Sequence, residues 1–319
     1  MQTLSVASVV SEHAKTSISG VGIAVLPSGS ALGAEIQGVD LALPLSAEAR
    51  ALLQRAWADH LVLLFRGQHL SEEAFIRAAE VFGQPRQAGS RKYLLQGGAF
   101  AAHLVSSHPM LTILSNLDDN GNPVRENALL GSLEVEWHSD NSYIPVPPSG
   151  SVLYSVEIPD DGSGNTSFNN QYQAYDELPT NLRKAIEGKQ QVHDSSRDSA
   201  GILRPGARLP ATPEEVEGPT HPLVRIHAVT GKRMLYLGQR RTWPSNYIVG
   251  MPNGESERLL SQLWAHATQP HLAWTHVWTE GDLLIWDNGC CLHRRDEVSS
   301  SKRRVMHRTV LEGCPVVAG

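Results

Sequence analysis

The sequence predicts a mainly β protein with flanking helices, on three observations. From Ser151 onward, short β-rich runs recur between Gly, Pro, Asn and Asp, which is the rhythm of an antiparallel sandwich. Before that point, two stretches carry apolar residues at helical spacing. No internal repeat or long linker interrupts the 319 residues, so 1–319 reads as one domain. A hydrophobic content of 41% with 19% charged residues excludes a disordered or fibrous chain.

In chain order, residues 1–20 are polar and small-residue rich and are expected to form a flexible N-terminus. Ser46 can cap a helix whose buried face is Ala49, Leu52, Leu53, Ala56 and Trp57, and Leu61 to Phe65 then reads as a buried strand ended by Gly67. A second helix starts at Ser71, with Glu72 and Glu73 complementing its dipole, and stops at Gly83. Strands follow at Val152 to Tyr154, Leu223 to His227, Arg233 to Leu237, Thr275 to Trp278, Asp282 to Trp286 and Val305 to Leu311. Helices interrupt them after Pro179 and at Glu255 to Thr268. Residues 194–218 lack apolar periodicity and read as a lid or an insertion loop.

The formal net charge of −6 argues against a nucleic-acid partner and leaves small anions as candidate ligands. Three cysteines, Cys290, Cys291 and Cys314, two of them adjacent, make a poor disulfide framework and point to a reducing, cytoplasmic setting. No apolar run reaches membrane-spanning length, and no signal peptide is read. A zinc pattern, a Gly-rich phosphate loop and a Gly-x-Ser-x-Gly elbow are all missing, which removes the common nucleotide and hydrolase readings.

Chemistry concentrates in two places. Trp137-His138-Ser139-Asp140 holds a His-x-Asp, whose spacing in a strand turns an imidazole and a carboxylate to one face. With 14 histidines in the chain such a pair needs independent support. It comes from the far end, where the strand through Trp286-Asp287-Asn288 leads to His293 on the following turn. There Arg304 and Arg308, four apart, align along one face of a later strand. Two guanidiniums turned into a sheet interior need protein carboxylates or a bound dianion.

The chain resembles the taurine dioxygenase-like family of Fe(II)- and 2-oxoglutarate-dependent dioxygenases, which includes taurine, alkylsulfate and phenoxyalkanoate enzymes. The resemblance runs through Gly33 to Leu41, His60 to Gln68, Phe82-Gly83, Trp137 to Asp140, Pro147-Pro148 and Gly281 to Arg308. It implies a double-stranded β-helix, the cupin-like jelly roll, and a facial triad of His138, Asp140 and His293 binding Fe(II). It further implies that Thr166 and Arg304 hold the distal carboxylate of 2-oxoglutarate, and that Arg308 meets an anion near cosubstrate and substrate. O2 is the second cosubstrate, and homo-oligomers, dimers or tetramers, are expected. Retention of Asp140 points to hydroxylation rather than halogenation.

Departures from the taurine enzymes bear on the substrate. Ala88 stands where those enzymes have a histidine, Glu134 replaces an asparagine, and Asn141 follows the metal aspartate. Arg91, Lys92 and Tyr93 lie close by in sequence, so Glu134, Asn141, Arg91 and Tyr93 are the candidate substrate residues. The expected substrate is a small organic anion of the sulfonate, alkylsulfate or aryloxyalkanoate class, hydroxylated with release of succinate and carbon dioxide. A free amino acid or biosynthetic intermediate, its amine met by Glu134, is one alternative, and a non-catalytic jelly roll binding metal and an organic acid is another. His221, His227, His266 and His276 lack ligand spacing and read as packing or surface residues.

Overall fold

A computed structural model describes residues 16–17, 22–87, 104, 106–127 and 131–319. Two sheets face each other across the core. The larger has nine strands. In spatial order, Thr16–Ser17 (β1), Ala24–Pro27 (β2), Ala34–Gln37 (β3), Val62–Phe65 (β4), Leu283–Asp287 (β15), Gly150–Glu157 (β8), Val305–Leu311 (β17) and Pro85–Arg86 (β5) lie side by side, and Thr112–Ser115 (β6) also pairs with β17. The smaller runs Ala273–His276 (β14), Thr166–Asn170 (β9), Cys291–Arg295 (β16) and Val135–His138 (β7). Two accessory sheets join Gln190–Val192 (β10) to Thr220–Pro222 (β11), and Val224–Ile226 (β12) to Arg233–Leu235 (β13) and Val317–Ala318 (β18). The β3–β4 pair is parallel, while the pairs that build the two facing sheets around the site are antiparallel. The architecture is the expected jelly roll with flanking helices.

Both faces of the larger sheet are covered, which is why its central strands are continuous apolar runs without alternation. In β4, Val62 and Leu64 face the space between the sheets, with Leu153, Phe168, Leu284, Trp286 and Met306. Leu63 and Phe65 face the opposite way, onto Ala49, Leu52 and Leu53 of helix Ala47–His60 (α1) and Phe75 of helix Glu72–Ala79 (α2). Ser46 and Ser71 cap these helices, each hydroxyl accepting from the backbone N–H three residues on. The second helix ends at Ala79 rather than at Gly83. Beyond it, Val81 and Phe82 donate to the carbonyls three residues back, so the chain tightens out of the α-helix before the glycine.

Helices Gln171–Asp176 (α3), Thr180–Ile186 (α4) and Asn253–Ala267 (α5) cover the outer face of the smaller sheet, burying Ala174, Leu182, Leu260, Leu263 and Leu292 together. Residues 194–218 carry a single 3₁₀ turn, Pro213–Glu215, and one bridge between Arg197 and Leu203. Within the segment expected to be flexible, Thr16 and Ser17 pair with Val25 and Ala24.

Candidate active site

Side-chain alternation delivers the site. In β16, Leu292 packs outward among the helices, while Cys291, His293 and Arg295 face the space between the sheets. From the opposite wall, Ser151, Leu153, Arg304, Met306 and Arg308 face the same space. His293 therefore sits on a strand and not on a turn, because the chain reverses early, at Asn288 to Cys290. His138 closes β7, directly opposite His293. Asp140 lies beyond the strand, in a turn, so shared strand geometry is not what brings it to His138.

Asn288 does that instead. Its Oδ1 accepts from the Asp140 N–H at 2.6 Å, and its Nδ2 donates to the carbonyls of Asp140 (2.9 Å) and Pro148 (3.0 Å). The result brings His138 Nε2 and His293 Nε2 to 3.7 and 3.8 Å from Asp140 Oδ1, all three residues buried. His138 Nδ1 is 2.8 Å from the Glu136 carbonyl, which can only accept, so that nitrogen carries the proton and Nε2 presents its lone pair to the site. Burial, and then the neighbouring His138, push the pKa of His293 down to about 3, keeping it neutral and ready to ligate. Ser151 Oγ donates to Asp140 Oδ2 at 2.6 Å, and Arg308 Nη2 lies 2.6 Å from the same oxygen as an ion contact. Burial alone would raise the Asp140 pKa. Arg308 and the two imidazoles outweigh it and hold the carboxyl well below the usual range. Arg308 thus pairs with Asp140 in this structure.

Arg304 differs. It is 3% exposed, its Nε and Nη2 have no hydrogen-bond partner, and no carboxylate lies within ion-pair distance of it among the described residues. Burial first, and then the charge of Arg295, lower its pKa well below the ordinary value, which is the signature of a cation without a counterion. Gly164 makes room for it. A Cβ there would come 3.2 Å from Arg304 Cδ and 3.0 Å from Val298 Cγ2. Thr166 lines the same space, and its Oγ1 accepts from Trp278 Nε1 at 3.0 Å, which leaves the hydroxyl proton free to donate. These residues border a cavity of about 280 Å³, whose outer wall comes from Asn141 and from residues 194–205.

Glu134 is not at the site. Arg295 of β16 pairs with Val135, and the register shift between His293 and Arg295 turns both Val135 and His138 inward. That leaves Glu134 on the outer face, 58% exposed and 3.9 Å from Arg294. Arg91, Tyr93 and Ala88 lie outside the described residues. Cys290 and Cys291 are buried, and burial raises both thiol pKa values, so they are inert packing groups. His227 and His276 are structural, lying 2.8 and 3.0 Å from Asp287 and Asp282.

Residues 24–310 match the family described as taurine catabolism dioxygenase TauD, TfdA family. The chain belongs to this dioxygenase family. A relative from Delftia acidovorans, an (S)-phenoxypropionate/alpha-ketoglutarate-dioxygenase, is 31% identical over 299 residues, 92% of this chain and 97% of its own. Among solved structures, a taurine dioxygenase from Burkholderia xenovorans superposes with a TM-score of 0.73 at 30% identity, covering 93% of this chain and 91% of that one. AAD-2, solved with Mn(II) and N-oxalylglycine, gives 0.72 at 27% identity, covering 92% and 99%. As a TauD/TfdA-family dioxygenase, the protein is an iron enzyme that consumes 2-oxoglutarate and O2 and acts on a small molecule. The buried cluster of two imidazoles and one carboxylate fits a divalent iron, and the orphaned guanidinium of Arg304 fits a carboxylate. No helix among the described residues is long and apolar enough to cross a membrane.

Sequence reasoning missed the clamp. Asn288 stood in a conspicuous run, yet nothing in its spacing says that it grips the Asp140 backbone. Asn288→Ala is expected to cost about 10- to 100-fold in iron affinity while leaving the protein folded, measured by competition with a chelator.

Proposed function

We propose that His138, Asp140 and His293 hold Fe(II), that Arg304 and Thr166 hold the distal carboxylate of 2-oxoglutarate, and that the enzyme hydroxylates a C–H bond of a small organic anion. The observation that carries the cosubstrate assignment is the buried guanidinium of Arg304, without a carboxylate partner among the described residues, on the wall that carries Arg308 and in the same cavity as the metal cluster. When bound, iron and 2-oxoglutarate supply the oxidation of the substrate by O2, leaving succinate and carbon dioxide. The chain's own contribution is positional and electrostatic. Arg308 and Ser151 keep Asp140 ionised, so the three ligands present one negative charge. Trp286 and Phe168, both buried, pack against His293 and keep water from its flank.

The substrate is read from the outer wall. Arg197, Arg204 and Arg241 border the cavity there against Asp194 and Asp198. Arg197 and Arg241 donate to the carbonyls of Gly201 and Asp198, and although Asp198 and Asp194 also act on Arg241, three arginines against two carboxylates leave this wall net positive. A sulfonate, sulfate ester or carboxylate suits that wall, in line with the phenoxypropionate and taurine enzymes among the similar proteins. Hydroxylation at a carbon bearing a heteroatom would then split that bond. In this reading residues 194–218 are a lid, supported by the share of the cavity wall that Asp194 to Pro205 supply. An amine-bearing substrate loses its basis, because Glu134 faces outward.

The test is a panel of such anions with succinate release as readout. With the best of them, Arg241→Met should raise KM about tenfold or more with kcat nearly unchanged, and Glu134→Gln should alter neither. A preference for neutral or cationic compounds would contradict the assignment.

A further inference from the structure

The reaction as described uses one buried arginine to hold the cosubstrate, but the cavity wall contains two. We propose that Arg295 is a second cation of the distal-carboxylate subsite, so that the carboxylate of 2-oxoglutarate lies between two guanidiniums. This rests on the placement of 2-oxoglutarate given above.

Arg295 follows the metal ligand His293 by two residues on the same strand, so the pleat turns both to the cavity. Across the sheet it stands directly opposite Thr166, which puts the two side chains on one face as neighbours. It is 8% exposed. Its Nη2 donates to the carbonyls of Gly131 (3.2 Å) and Leu133, which fix the guanidinium in place but bring no charge, and its Nε is buried without a partner. Among the described residues no carboxylate lies within ion-pair distance of Arg295 or of Arg304. Arg308, on the same wall, has Asp140.

Two like charges enclosed together are costly unless an anion is shared between them. Surface alternatives do not apply, because both side chains are buried. A shared anion would sit in the cavity that both side chains line. It is bounded by the Arg304 fork, the Thr166 hydroxyl and the Arg295 guanidinium, set off from the iron ligands by the two-residue step along β16. A five-carbon 2-oxo acid held at the triad would find partners for its distal carboxylate in these residues. The consequence is selectivity. A 2-oxo acid without a distal carboxylate would leave two desolvated cations unpaired, so the site should reject it far more strongly than one arginine would.

The test compares dissociation constants by anaerobic titration of the Fe(II) protein, followed by absorbance of the chelate, for 2-oxoglutarate and for 2-oxovalerate. The two acids share their metal-binding end and chain length, and only the first has the distal carboxylate. Arg295→Met should weaken 2-oxoglutarate about 30-fold or more and leave 2-oxovalerate within about threefold. Arg295→Lys, which keeps the charge and loses the fork, should give a smaller loss, again confined to 2-oxoglutarate. Should the Met variant not fold, the Lys variant carries the comparison. Unchanged 2-oxoglutarate affinity in whichever variant folds overturns the proposal, and so does an equal loss for both acids, which would mean that Arg295 acts through the strand bearing His293. A parent protein that binds both acids alike, or an Arg304→Met variant with unchanged preference, would instead refute the placement of 2-oxoglutarate.

Discussion

Asp140→Ala is expected to abolish iron retention, with a loss of metal affinity above about 100-fold, since even loss of a partner that only orients a ligand costs 10- to 100-fold. In the proposed site Asp140 is the one anionic ligand, held by Ser151, by Arg308 and by the Asn288 clamp on its backbone. The same substitution strips Arg308 of its counterion in a nearly closed setting, so the metal-free variant should also lose about 3 kcal/mol of stability. The sign with pH follows from the depressed carboxyl pKa. A carboxyl that titrates lower when folded contributes stability above its unfolded pKa and loses it as pH falls through the folded value. The stability gap between parent and variant, followed by denaturant unfolding without metal, should therefore be full at neutral pH and narrow in acid. Iron content after gel filtration checks the first claim.

Arg304→Met should leave iron in place and weaken 2-oxoglutarate by about 100-fold or more, the range for removing one partner of a buried, hydrogen-bonded charge pair. It should also do something that a structural arginine would not. In the ligand-free protein Arg304 is a buried cation without a partner for two of its nitrogens, so replacing it with an apolar side chain of similar length should leave the melting temperature no lower than the parent's. Without 2-oxoglutarate the two proteins should melt alike or in the variant's favour. With 2-oxoglutarate only the parent should gain. A sharp loss of stability in the ligand-free variant would make Arg304 a structural residue.

Much of the scaffold is legible in the residues because its signals are local. Ser46 and Ser71 announce the caps of α1 and α2, and the apolar run at Val62–Phe65 announces a strand covered on both faces. The short helix Gln171–Asp176 was not legible. It follows β9 without a break, and its cap is Asn170, whose side chain accepts from Tyr172 and Gln173 while its backbone still belongs to the strand.

At the site, Arg308 on β17 and Arg304, which lies just before that strand, could be anticipated from their even spacing, and the triad from the resemblance. What could not be read was long-range. Glu134 is a candidate only because it replaces an asparagine of the taurine enzymes, and the bulge between His293 and Arg295 changes which residues of β7 face inward. Asp140 was assigned through strand alternation, yet it is held by a side chain 148 residues away. Arg295 did carry a signal, its two-residue step from His293, which becomes meaningful only once His293 is known to lie on a strand.

In the proposed site one cavity holds iron on His138, Asp140 and His293 and 2-oxoglutarate across to Arg304. The most direct test is an anaerobic titration of the metal-free protein with Fe(II) and then 2-oxoglutarate, watching for the visible charge-transfer band of a chelated 2-oxo acid. A saturable band at one equivalent is expected, one that is lost in Asp140→Ala and shifts when the true substrate is added. Iron bound at the cluster with no band at saturating 2-oxoglutarate would contradict it.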